Sequence, residues 1–157
     1  MYMHIVKGPI YETQSSELWK SVDNGNSWTK ACDWPGSAWY YEFQQKTYAA
    51  ASDGCCYALT MIFSREIQSG LLLLRVPQSK VEDPNAYVPW GFFQGNWGWG
   101  YDPTTIATPR RFGEICFRQI GSQFVLTFFD DSPADGSPAQ IKAQLLPSPT
   151  SNVFFDY

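Results

Sequence analysis

Short runs rich in β-branched and aromatic residues recur along the whole chain, each closed by a turn signal. Nowhere does an apolar period of 3.6 persist long enough to compete as a helix. "YMHIV", "SELWKSV" and "SWTKA" make a first group. "KTYAAAS", "CCYALTMIF", "GLLLLRVP" and "YVPWGF" make a second, with Asp53-Gly54 and Gln68-Ser69-Gly70 as turns, and "GEICFRQI", "QFVLTFFD" and "AQIKAQLL" make a third, with Gly121-Ser122 in its first turn. The pattern predicts an all-β fold of about three four-stranded antiparallel meanders, in blade-like groups 1–34, 40–93 and 110–157 of a single domain. One helical turn is expected at "QSKVEDPNAY", with Ser79 as N-cap, Glu82 three residues later and Pro84 as its stop. The Gly-, Pro- and ring-rich segment 91–111 reads as a long irregular connection.

The stretch "SVDNGNSWTK" joins two of these strands and spaces Ser21, Asp23, Gly25, Ser27 and Trp28 in a regular way. An Asp carboxylate accepts from backbone N–H groups further on, Gly supplies positive φ, and the Trp ring folds back under the turn. The pattern resembles the Asp-box hairpin of sialidase-like and other carbohydrate-active β-propellers. That resemblance implies a structural role for Ser21, Asp23, Gly25 and Trp28 and no catalytic one.

A chain of 157 residues suits one domain, and its 17% aromatic against 17% charged residues suits wide apolar sheet faces and a groove lined with rings. Net charge is −4 and the basic residues are scattered, which argues against a nucleic-acid partner. The first ten residues lack the basic and apolar regions of a signal peptide, and "GLLLLRV" is far too short to span a bilayer. The expectation is a soluble chain with no export signal of its own. Cys32, Cys55, Cys56 and Cys116 show no metal-ligand spacing and His4 is the single histidine, so neither zinc nor another cofactor is expected. Adjacent Cys55 and Cys56 point to opposite sheet faces; buried thiols are preferred to a disulfide, which stays the alternative. No G-x-S-x-G is present, and the bulky Trp residues of "GNWGWG" leave no room for a phosphate loop.

Furanose rings offer C–H faces to aromatic side chains and hydroxyls to planar polar groups. Trp97, Trp99 and Tyr101, with Gln44, Gln45 and Arg111, are therefore candidate substrate-binding residues. Packing of the rings against the sheets is an equal reading. Glycosidic cleavage needs two carboxyl groups about 5–10 Å apart. Glu114, beside Arg110 and Arg111, is the best-placed carboxylate, either as a catalytic group or as an Arg–Glu tether. No partner for it is evident. Asp53 and Asp102 read as turn formers, and Asp130 and Asp131 as solvated charge at a strand end.

Taken together, "YMHIVKGP", "ELWKSVDNGNSWTK", "FQQKTYAAASDGCCYALTMIFSR", "GLLLLRVPQSKVEDPNAYVPWGF", "RFGEICFRQIGSQFVLTFFD" and "LLPSPTSN" resemble the C-terminal part of a bacterial and phage family. It was long described as a domain of unknown function and is known to contain endo-D-arabinofuranases. The resemblance implies a five-bladed propeller that hydrolyses D-arabinofuranosyl links of arabinogalactan or lipoarabinomannan. It also implies a cell-envelope, secreted or phage-associated setting. The family's catalytic acids lie in blades N-terminal to the matching region, so no catalytic pair carries over. Self-association or a second chain is expected to close the ring. A non-catalytic carbohydrate-binding or adhesion module and an inactive truncated remnant are the alternatives.

Overall fold

The computed structural model describes residues 1–9, 12–38, 43–64, 67–107, 109–131 and 136–151. Eleven strands are present among them: Tyr2–Lys7 (β1), Ser15–Lys20 (β2), Thr29–Pro35 (β3), Gln45–Ala50 (β4), Cys55–Met61 (β5), Leu72–Pro77 (β6), Val88–Phe93 (β7), Asn96–Trp99 (β8), Phe112–Ile120 (β9), Gln123–Asp130 (β10) and Gln140–Leu146 (β11). They form three antiparallel sheets in sequential order, β1-β2-β3, β4-β5-β6-β7-β8 and β9-β10-β11. The protein is thus all-β and propeller-like in its meander sheets.

The sheets stack face to face, and the sequence of the middle one explains how. Along "LLLLRV" successive side chains alternate faces, yet nearly all are apolar, as in a strand buried on both sides. Leu72, Leu74 and Val76 join Cys56 and Ala58 in a core shared with Leu18, Cys32 and Trp34 of the first sheet. Leu71 and Leu73 join Tyr57, Leu59 and Met61 in a second core with Phe117, Phe124, Leu126 and Leu146 of the third. Fully burying one such side chain is worth about 1.5–3 kcal/mol. Cys55 packs on the second core and Cys56 lies in the first, which is the expected opposition of faces.

Strand counts differ from the expected four per group, being three, five and three among the described residues. The expected strand "YVPWGF" is β7, and the extra strand of the middle sheet, β8, lies inside the segment read as an irregular connection: Trp90 registers with Trp99 and Phe92 with Trp97 across β7 and β8. Gln94 and Gly95, at φ 48° and 85°, make the tight turn between them. Residues beyond β8 fold back on this hairpin, with Gly100 N–H donating to Pro89 O at 2.8 Å and Thr104 Oγ1 accepting from Phe92 N–H at 3.0 Å. A Cβ on Gly91 would lie 2.0 Å from Asp102 O, so only glycine permits this approach.

The expected helical turn is two 3₁₀ turns, Gln78–Lys80 and Pro84–Ala86. Ser79 lies inside the first and caps nothing, because Pro77 takes the cap position. Pro84 starts the second turn rather than ending the first, with Asp83 accepting from Asn85 N–H at 3.0 Å. Proline suits that place, where its missing N–H has no partner to lose. Among the described residues no helix is long and apolar enough to cross a membrane.

Candidate functional site

The first strand of each sheet, β1, β4 and β9, borders one cleft of about 930 Å³. β4 packs against both of the others, and the cleft lies where a propeller-like arrangement of meander sheets would have its axis. Each bordering strand contributes a basic residue to its wall: His4 from β1, Lys46 from β4 and Arg118 from β9. Gln45, Gln78, Tyr2 and Phe63 add planar polar and aromatic surface, and none of the described lining residues is Asp or Glu.

Lys46 is 6% exposed and forms the floor. Its ammonium donates to Phe43 O at 2.9 Å and to Ser16 Oγ, and Nζ stands 3.4 Å from His4 Nε2. It also lies over the rings of Trp34 and Phe43, 4.3 and 4.0 Å from their centroids. Burial pulls the Lys46 pKa down to about 6, and burial followed by the nearby Lys46 pulls His4 down to about 3. Ring faces and oxygen acceptors favour the charged amine, but no carboxylate among the described residues meets it. On the far wall Arg118 Nη1 donates to Tyr48 O and Phe117 O, both at 2.6 Å, and ties β9 to β4.

Of the candidate catalytic and substrate-binding residues, Gln45 alone lines this cleft. Gln44 is buried and its amide is fully engaged, Nε2 donating to Gly36 O at 3.1 Å and Oε1 accepting from Phe63 N–H at 2.9 Å. Trp97 and Trp99 sit on β8 at the other end of the middle sheet, 6.1 and 4.9 Å from the Trp90 ring, and pack on the second core. Tyr101 lies against Phe93 at 5.8 Å. Arg111 shares backbone and side-chain contacts with Asp131, at 3.2 and 3.5 Å.

Glu114 is exposed, with a left-handed φ of 40°, at a bulge where the β9–β10 register shifts between Thr127 and Phe129. A bulge re-aims one side chain, and the left-handed conformation of a non-glycine residue carries strain. Arg110 Nη1 donates to Asp130 Oδ2 at 2.6 Å, Lys142 reaches the same oxygen at 3.0 Å, and Asp130 is fully buried rather than solvated.

Between β2 and β3 the Ser21–Trp28 turn is closed by its own side chains. Ser21 Oγ accepts from Gly25 N–H at 2.8 Å, Asp23 accepts from Ser27 N–H at 2.9 Å and Ser27 Oγ at 2.6 Å, and Trp28 Nε1 donates to Gly25 O at 3.0 Å. The bonds from Ser27 hold the Asp23 pKa down to about 2. The four cysteines are free thiols, which removes the disulfide alternative. Burial pushes Cys32 and Cys56 up to about 11. No group of three His, Cys, Asp or Glu side chains suited to a metal is found among the described residues.

His4, Lys46 and Arg118 were not singled out from sequence. Their signal is one basic residue in the first strand of each group, legible only once first strands are known to face an axis.

Residues 1–154 match the family described as "Domain of unknown function (DUF4185)", and the chain belongs to that family. No curated protein matches. Among solved structures, a Bacteroides ovatus protein provisionally named a hydrolase is similar at 13% identity with a TM-score of 0.49. The likeness covers 96% of this chain and 43% of that one, so this chain spans less than half of its length.

Proposed function

We propose that this family member supplies the glycan-binding face of a carbohydrate-active, hydrolase-type domain, with D-arabinofuranosyl polymers as its ligand. The observation that carries the reading is the axial cleft of about 930 Å³, whose wall combines the amides of Gln45 and Gln78 with the rings of Tyr2 and Phe63. A sugar needs this mixture of flat apolar surface and directional polar groups. The arabinan preference rests on the resemblance of the six sequence stretches given above.

Bond cleavage requires two carboxyl groups flanking the scissile oxygen. The cleft's described wall has neither. This chain therefore binds without cleaving, and hydrolysis is the work of acids contributed from outside it. Exposed Ile141 and Leu145 on β11 support packing of a further sheet there, from a second copy or a partner chain. Light scattering tests that contact: a defined assembly is expected, and a monomer at high concentration contradicts it.

The test of function is retention on insoluble arabinogalactan with a parallel assay for new reducing ends. Retention without release is expected, weakened by Gln45→Ala. Release abolished by Glu114→Gln would instead assign catalysis to the bulge. Absence of retention would overturn the sugar reading.

A further inference from the structure

The chain carries a net charge of −4, yet every charged or basic group among the described residues lining its axial cleft is positive or able to become so. Lys7, Lys20, Lys30 and Lys142 each meet a carboxylate, whereas among the described residues buried Lys46 meets Ser16, Phe43 O, His4 and two rings and no carboxylate. An amine in low dielectric beside a large open volume, with no carboxylate against it among the described residues, is satisfied best by an anion from solution.

We propose that the axial cleft binds an oxyanion of its ligand, a carboxylate or a phosphate-like group, with Lys46 and Arg118 supplying the opposing charge. The inference concerns the ligand's charge rather than its sugar, so it stands or falls apart from the arabinan reading. Lys46 is faced by His4 from β1, Ser16 from β2, Cys32 and Trp34 from β3, and Phe43. Tyr48, Cys56 and Cys116 are the other titratable groups of the wall; at the rim Tyr2 donates to Glu82 at 2.6 Å. With the amine's pKa near 6, binding takes up a proton, and affinity falls about tenfold per pH unit above it.

Calorimetry on the whole chain with sodium sulfate, and with D-glucuronate against D-glucose, at constant ionic strength tests this. Sulfate and glucuronate are expected to bind and glucose not, with about tenfold loss in Lys46→Met and a smaller loss in Arg118→Gln. Sulfate alone binding assigns a phosphate-like group, and glucuronate alone a carboxylate. Glucose binding as tightly as glucuronate overturns the proposal, as does affinity unchanged in both variants. Should Lys46→Met fail to fold, the wild type decides: sulfate affinity must rise from pH 8 to pH 7, and a flat profile overturns the assignment. Arabinan retention without anion binding removes this proposal alone; anion binding without retention removes only the sugar reading.

Discussion

Each seam between neighbouring sheets buries a basic side chain, and the two seams treat it differently. Where the second sheet meets the third, Arg110 is 5% exposed and lies 2.6 Å from a fully buried Asp130, with Lys142 at 3.0 Å. Where the first meets the second, Lys46 is equally buried but meets carbonyl, hydroxyl and imidazole groups and two ring faces. A buried charge with its partner is committed to the fold. A basic group that meets no carboxylate among the described residues keeps a capacity for interaction that the described fold does not use, and here it borders the cleft.

Breaking the paired seam carries the largest expected effect. Asp130→Ala leaves Arg110 and Lys142 without their carboxylate and is expected to cost about 3–5 kcal/mol in chemical denaturation. An unchanged midpoint would mean the pair is idle. Truncating the two cores comes next: Leu72→Ala opens the first seam and Leu73→Ala the second, each costing about 2–5 kcal/mol. Comparable losses are expected, because the middle sheet is buried on both faces; loss at one position alone would contradict two-sided burial.

Lys46→Met keeps length and apolar bulk while removing the amine, and is expected to lie within about 1 kcal/mol of wild type, on either side. It also sharpens the pH dependence. The unfolded lysine holds its proton up to about 10.5 and the folded one only up to about 6. Between those values the unfolded chain binds more protons, so stability rises with pH, is fully present above the upper value and is lost on falling to the lower. The variant should flatten this slope between pH 6 and pH 10, and His4 adds a slope of the same sign between about 3 and 6.5. Equal slopes in both proteins would show that Lys46 does not titrate there. An effect of similar size belongs to the turn between β2 and β3, where Ser21→Ala at a buried position removes the acceptor of Gly25 N–H and should cost about 1 kcal/mol.

Strand positions were legible because alternation and turn residues are local signals. The runs containing Leu72–Pro77 and Gln123–Asp130 stand where the pattern put them. Strand β7 agrees with the run "YVPWGF", but β8 is not legible because Gly punctuates it, and its strand character comes from Trp97 and Trp99 packing on a core supplied by distant residues. Asp130 was misread for the same reason: a carboxylate before a Pro- and Gly-rich loop looks solvated until Arg110 is brought to it from another element. Gln44 and Gln45 are adjacent and of one type, yet the pleat sends one amide into backbone contacts and places the other at the cleft. The candidate site was the least legible part, since three first strands far apart in sequence build it.

The most direct test of the account follows the Lys46 side chain by ¹³C NMR of its ε-carbon through a pH titration, with and without sodium sulfate. The account predicts an apparent pKa near 6 in the free protein, moving upward as sulfate fills the cleft. A titration unmoved by sulfate would contradict the central claim that this buried amine lacks a partner the ligand provides.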